Sequence, residues 1–384
     1  MKIILDTVPL IYSGGAERRT AFHLYRELLT LDRDDEFGLL CIDRFQRRST
    51  CKPLLAIRDM PVREVRLPFR VLEWGWKYLD WPTVESLLGT VDVYHVACAH
   101  APPARKATVL LTVRGIAAEV IPDLLPSDKV RRLRAVLRTS MRHAHYYLAV
   151  SETTRNDMVK CLGVDPERIF VVNHGVDPIF RPPSDRSALA TRLRARFGIE
   201  RPYILYVGWI GRHKNVMGLL RAYRALHARG LTDYDLWLVG GRDSAWDDAQ
   251  AFLQQHELQS RVHLPGTMDQ ESQDLTDLYG GASCCVFPSF YEGWCSPPTE
   301  AMACGAPVVA SSRSSLPETV GEAALLTDPD DPNRIAQDVA AVLTDRNLRQ
   351  TLVRKGFERV ARLGWSESAR RLIGVYRQIE RARA

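Results

Sequence analysis

Short apolar runs alternate with longer amphipathic stretches along most of the chain. Apolar runs predict strands over 2–5, 37–42, 91–95, 109–113, 146–150 and 169–172. Helical periodicity lies between several of them, over 17–29, 129–141 and 152–161. Alternation of this kind implies a parallel sheet with helices on both faces. The rhythm breaks at the proline-rich "DPIFRPPSD" (177–185) and then restarts. A second series of strands is expected over 203–207, 236–239, 262–264, 284–287, 308–310 and 324–326, with helices such as 217–229 and 331–343 between them.

The fold class is therefore α/β, with two doubly wound, Rossmann-like domains over 1–178 and 179–364. A last amphipathic helix is expected over 365–384, with Ser366 as its N-cap. Ala369, Leu372, Ile373, Tyr376 and Ile379 fall on one helical face. That face needs an apolar surface to cover, and in folds of this type it often crosses back to the first domain. No repeat of solenoid period interrupts the pattern.

Composition changes this picture little. The 384 residues are 46% hydrophobic and 26% charged, an ordinary globular balance. A net charge of +6 suits anionic partners without choosing among them. The eight cysteines form no C-x-x-C, and no histidine cluster has zinc spacing, so they read as reduced thiols of a cytoplasmic protein. The opening "MKIILDTVPLIYSGG" is too short and too soon interrupted for a signal segment. No apolar run approaches the ~18 residues of a membrane span. A soluble or peripheral protein is expected.

Candidate chemistry concentrates at predicted strand ends, where open α/β sheets bind ligands. In "FYEGWCSPPTEAMACGAPVVA" (290–310), Glu292 and Glu300 flank a loop of Gly293, Trp294, Cys295 and Ser296. Ser296 followed by Pro297 fits an N-cap and first helical position. Glu300 then lies near the first turn, beside backbone N–H groups that attract anions. A carboxylate offers two acceptor oxygens to vicinal hydroxyls. Two carboxylates with amides between them suit a ligand with hydroxyls at both ends and phosphate in the middle. The bland alternative is a dipole-complementing Glu300 and a loop charge at Glu292, and spacing alone leaves both readings open.

In "YVGWIGRHKNVMGLLRAY" (206–223), Gly208 and Gly211 bracket a turn, followed by Arg212, His213 and Lys214 before a helix. Cations at that place can bind phosphate, although an isolated basic triplet is more often a solvated loop. Gly14 and Gly15 stand between the first strand and first helix, where paired glycines let backbone approach a ligand. The G-x-G-x-x-G fingerprint is absent. His174, in "VVNHGVD" (171–177), reads by itself as a turn histidine.

These pieces occur together and in order. The chain resembles the family 4 retaining glycosyltransferases of the GT-B fold, through "GGAER" (14–18), "AVSETTRNDM" (149–158), "NHGVD" (173–177), "GRHKN" (211–215), "LVGG" (238–241) and "RVHLPG" (261–266). The longest match runs from "VFPSFYEGW" at 286 to "TDPDD" at 331. The resemblance implies two domains facing across a cleft. Glu300 would hold the ribose diol of a nucleotide sugar, and Glu292 the hydroxyls of the transferred sugar. Lys214 and Arg212 would neutralise the diphosphate in the place a metal often takes. Gly14, Gly15, Gly208 and His174 join the donor-binding set, and no cofactor is implied. Mannose and a GDP-sugar are the favoured donor, moved with retention to a glycan or lipid-linked saccharide.

Two departures stand out. Relatives carry a His-Asp pair where this chain has Arg114-Gly115, and usually Phe-Gly where it has Trp294-Cys295. On the acceptor side Arg114 is a candidate, as is His100, which with His95 is read as lying after the preceding strand. The missing pair motivates an alternative, a nucleotide-sugar-binding subunit without transferase activity. Nucleic-acid binding is disfavoured, since the glutamate loop has no purpose there.

The basic pattern over 127–144 places Val130, Leu133, Leu137 and Met141 on one face. It could rest on anionic lipid; packing against the sheet is the favoured reading. "FRVLEWGWKYLDW" (69–81) is core, acceptor surface or membrane-contacting edge.

Overall fold

The computed structural model describes residues 1–12, 15–32, 34–42, 51–97, 100–269 and 272–383. The chain divides into two compact units. One comprises Met1–Val120, Ser127–Gly175 and Gly364–Ala384; the other comprises Ile121–Pro126 and Val176–Leu363.

The first unit is built on seven strands: β1 (Lys2–Asp6), β2 (Glu36–Ile42), β3 (Val62–Val65), β4 (Val93–Val96), β5 (Thr108–Val113), β6 (Tyr146–Ala149) and β7 (Ile169–Val171). All pair in parallel, in the order β3-β2-β1-β4-β5-β6-β7. Parallel strands buried on both faces read as continuous apolar runs, which is why six of these were legible. β3, "VREV", was missed. It is an edge strand with only Val65 buried, so its polar middle pair hides the pattern.

Apolar clusters cover both faces of this sheet. The C-terminal helix Trp365–Arg383 belongs to this unit and packs on the helix Gly15–Leu31. It buries Trp365, Ala369, Leu372, Tyr376 and Ile379, with Ile373 partly buried. Each large side chain so buried contributes roughly 1.5–3 kcal/mol. The helix begins one residue before the expected cap. Ser366 is inside it, and its hydroxyl donates to Glu27 Oε2 at 2.8 Å instead.

The second unit carries β8 (Tyr203–Val207), β9 (Asp235–Val239), β10 (Val262–Gly266), β11 (Cys284–Phe287), β12 (Val308–Ser311) and β13 (Ala324–Thr327). These too are parallel, in the order β10-β9-β8-β11-β12-β13. Strand order reverses between β8 and β11, so the loops leaving those two strands flank the switch point. Glycines let the neighbouring loop come close. A Cβ on Gly240 would lie 1.8 Å from the Gly208 carbonyl oxygen, and one on Gly241 would meet the Trp209 ring at 2.3 Å. The "LVGG" motif is thus a packing requirement of the β8 exit.

Candidate active site

The loop after β8 makes one 3₁₀ turn, Arg212–Lys214, and then passes through Asn215 in the left-handed region (φ 56°). Asn215 caps the helix Val216–Ala228 by accepting from the Gly218 N–H at 3.1 Å. Its amide nitrogen donates to the Pro288 and Pro329 carbonyls, at 3.2 and 2.6 Å. One buried side chain therefore ties this loop to those after β11 and β13. The Phe290 N–H adds a bond to the His213 carbonyl at 2.9 Å.

That framework fixes Lys214. Its ammonium donates to both oxygens of Glu292, at 2.6 and 2.7 Å. Ser289 Oγ donates to Glu292 Oε1 at 2.9 Å. The Glu292 backbone is held on both sides by Ser314, whose hydroxyl accepts from its N–H at 3.0 Å and donates to its carbonyl at 2.7 Å. Glu292 is 9% exposed. Burial pulls the Lys214 pKa down, but the Glu292 carboxylate more than offsets it, and the net shift is upward. Lys214 is therefore a fixed cation. Cys295 is also buried here; its thiol is pushed well up by burial, with Glu292 adding to the effect.

Glu300 is 4% exposed, in the helix Ser296–Ala303, and accepts from the Tyr279 hydroxyl at 3.0 Å. The start of this helix differs from expectation. Cys295, not Ser296, is the N-cap, and it makes no side-chain capping bond. Ser296 is the first helical residue, so Pro297 and Pro298 occupy the second and third places. Prolines have no N–H, so of the four donors a helix start normally offers, those of Cys295 and Ser296 remain. The anion-attracting terminus is thus half as rich as the sequence suggested. Trp294 and Gly293 are half-buried in the loop before it.

Arg212 does not join Lys214. It is exposed and pairs with Asp248 at 3.3 Å. Gly208 and Gly211 flank the turn as expected.

The other candidates belong to the first unit. Gly15 starts its helix at φ 59°, a conformation that suits glycine. Gly14 lies outside the described residues. His174 is buried, with its ring stacked 5.9 Å from Trp365. Burial, with the charges of Arg114 and Arg19, holds it well below the usual imidazole range. Arg114 and His174 line one small cavity, with Thr20, His95 and Asn173. His95 is inside β4, not after it. It is fully buried between the Tyr376 hydroxyl at 2.8 Å and Thr112 Oγ1 at 2.9 Å. Burial pushes its pKa down to about 3, which makes it a neutral structural group. His100 pairs with Glu73 at 3.2 Å.

Sequence reasoning missed Asn215, Ser289, Ser314 and Tyr279 as supports of this site. Only Asn215 left a local signal, as the residue between a basic turn and a helix.

Solved structures share the architecture. A sucrose-phosphate synthase from Thermosynechococcus elongatus superposes with a TM-score of 0.71 at 21% identity, covering 100% of both chains. Anabaena HepE, solved with UDP and glucose, gives 0.69 at 17% identity, covering 98% of this chain and 100% of its own. The fold is GT-B, the two-sheet architecture of a large class of glycosyltransferases. Residues 191–359 match the family model for glycosyl transferases group 1, and residues 14–180 that for glycosyltransferase family 4. The O-antigen chain mannosyltransferase B of Escherichia coli is 30% identical over 98% of this chain and 100% of its own length. A D-inositol 3-phosphate glycosyltransferase of Xylanimonas cellulosilytica is 32% identical over 62% of this chain and 57% of its own. The chain belongs to the group 1 glycosyl transferases, with a family 4 N-terminal region, and is a glycosyltransferase.

Proposed function

We propose that the protein moves a hexose, mannose in the favoured reading, from a nucleoside-diphosphate sugar to a glycan or lipid-linked saccharide. Configuration at the anomeric carbon is retained and no metal takes part. The observation that carries this reading is the Lys214–Glu292 pair at the β8–β11 switch point. Mannosyltransferases among the relatives support the sugar. The solved HepE complexes contain UDP, so the base stays a choice between GDP and UDP.

Without donor, Lys214 and Glu292 neutralise each other. A diphosphate is a stronger partner for the ammonium, with more charge and more acceptor oxygens. Its arrival draws Lys214 away and frees the Glu292 carboxylate for the sugar hydroxyls. Departure of the diphosphate builds negative charge on it and positive charge on the sugar. Once the donor is seated and the pair has opened, Lys214 stabilises the first and Glu292 the second. Arg212 assists only by leaving Asp248. Glu300, with one oxygen oriented by Tyr279, accepts from the ribose hydroxyls.

Calorimetric titration of GDP-mannose and UDP-glucose tests this. Glu300→Gln is expected to weaken donor binding about tenfold or more, since a neutral amide accepts less strongly. Unchanged affinity would remove Glu300 from the donor site. Turnover undiminished by a chelator is expected; its loss would overturn metal independence.

A further inference from the structure

The helix Phe69–Tyr78 is apolar on two sides. Its inner side puts Leu72, Gly75 and Trp76 into the core of the first unit. Its outer side leaves Val71, Trp74 and Tyr78 between 52% and 61% exposed. Steps of three and four residues align these on one stripe. Leu79 and Trp81, equally exposed, extend the stripe past the helix end. The turn that carries them is well supported. The N–H groups of Leu79 and Trp81 both reach the Gly75 carbonyl, at 2.9 and 3.4 Å, and the Trp76 indole donates to the Pro82 carbonyl at 3.0 Å. A Cβ at position 75 would lie 2.3 Å from the Trp81 carbonyl oxygen, so glycine is what lets the turn fold back. Large apolar side chains displayed together on so firm a base mark a contact surface.

The surrounding charge selects its occupant. Of the carboxylates beside the stripe, Asp80 pairs with Arg142 at 3.0 Å, whereas Glu73 keeps its charge, since its neighbour His100 at 3.2 Å is held toward the neutral form by burial. Arg66, Arg70 and Lys77 are exposed beside it, with the Lys77 ammonium 4.9 Å from the centre of the Tyr78 ring. The helix Ser127–His143 adds Lys129 and five arginines against a single Asp128; Arg134 pairs with Glu119 at 3.1 Å and Arg142 with Asp80, while Arg131, Arg132 and Arg138 are exposed. Arg142 of that helix donates to the Trp76 and Lys77 carbonyls, at 3.2 and 3.1 Å. Between the two helices lies a cavity of ≈ 220 Å³ whose lining includes Lys77, Arg132 and Ser140, with Glu73 as its one carboxylate. Tryptophan and tyrosine favour the headgroup level of a bilayer, and clustered Lys and Arg favour anionic lipid. A second copy of this chain would bring one basic helix against another.

We propose that this face docks on an anionic phospholipid bilayer. Trp74, Tyr78 and Trp81 enter the headgroup layer, and the exposed Arg131, Arg132 and Arg138 meet lipid phosphates. Among the described residues no helix is long and apolar enough to cross a membrane, so this contact is interfacial. It goes beyond the donor reading and does not depend on it, because lipid binding is measured without sugar transfer.

The test is flotation of the full chain, without sugar nucleotide, on two kinds of vesicle: phosphatidylcholine alone, and phosphatidylcholine mixed with phosphatidylglycerol. Binding is expected on the mixed vesicles and is expected to weaken with salt. Trp74→Gln with Trp81→Gln should weaken it about tenfold or more, and so should Arg131→Gln with Arg132→Gln and Arg138→Gln. Both variants alter exposed positions, and an unchanged melting temperature checks that they fold. Absence of binding by the unaltered protein overturns the proposal, as does binding that neither variant changes. Sedimentation velocity supplies the rival outcome. A dimer that the tryptophan variant makes monomeric, with vesicle binding intact, would mean that a second copy covers this face.

Discussion

The two sheets have the same kind of switch point and place different side chains there. In the second unit, the loops leaving β8 and β11 are joined by a charged pair, Lys214 with Glu292, and braced by Asn215, Ser289 and Ser314. In the first unit the reversal falls between β1 and β4. There His95 of β4 is buried and neutral, bonded to Tyr376 and Thr112. Topology decides where a crevice forms, and the side chains decide which groups it holds. Keeping two charges in a largely dry place requires that they be paired and hydrogen-bonded. The second unit meets that requirement with residues drawn from three loops.

The sharpest way to break this comparison is to remove one charge. Lys214→Ala is expected to lower kcat by about 10²–10³, the range for losing one preorganised electrostatic contact. It also leaves Glu292 buried without its partner, which lowers stability. Lys214→Met combined with Glu292→Gln separates the two effects. The double variant should recover most of the melting temperature and none of the transfer. Recovery of turnover along with stability would reduce the pair to a structural role.

The next effect belongs to the brace. Asn215→Ala removes a helix cap and leaves the Pro288 and Pro329 carbonyls without this donor. A cost of about 2–3 kcal/mol in denaturant unfolding is expected. If the three loops hold their places without Asn215, the loss will fall below about 1 kcal/mol, and the brace will have been overstated.

What the sequence revealed follows the same division. Twelve of the thirteen strands among the described residues were legible because buried parallel strands leave unbroken apolar runs. Glu292, Glu300 and Lys214 were legible because each stands in a short motif at a strand end. Their supports were not. Tyr279 meets Glu300 across 21 positions, Ser314 meets Glu292 across 22, and Asn215 meets Pro288 and Pro329 across 73 and 114. Hydrogen bonds over such separations leave no periodicity to read. Exposure was equally hidden. Trp74 and Trp76 are two residues apart, yet one is 56% exposed and the other 2%. Leu133, expected on a packing face, is more than a third exposed.

The first unit's side of the comparison is sharpened by acid. Folded, His95 takes a proton only near pH 3; in the unfolded chain it does so near 6.5. Between those values the unfolded state binds more protons, so stability falls as pH is lowered through that window. His174, also held neutral, acts in the same direction. His95→Gln cannot titrate and should flatten the slope of unfolding free energy against pH, by up to about 1.4 kcal/mol per unit. An unaltered slope would mean that His95 is not the neutral buried group described.

The smallest effect distinguishes backbone from hydroxyl at the second switch point. Ser314 sits at φ 56°, where a side chain is strained, and its hydroxyl makes both bonds to the Glu292 main chain. Ser314→Ala loses the bonds and keeps the strain; Ser314→Gly loses the bonds and relieves it. Glycine should therefore be the less damaging replacement, by about 1 kcal/mol in unfolding. Transfer activity should fall in both, because either change frees the Glu292 backbone on which the charged pair depends. Equal stability of the two variants would show that the turn relaxes, and that the hydroxyl alone held the loop in its left-handed form.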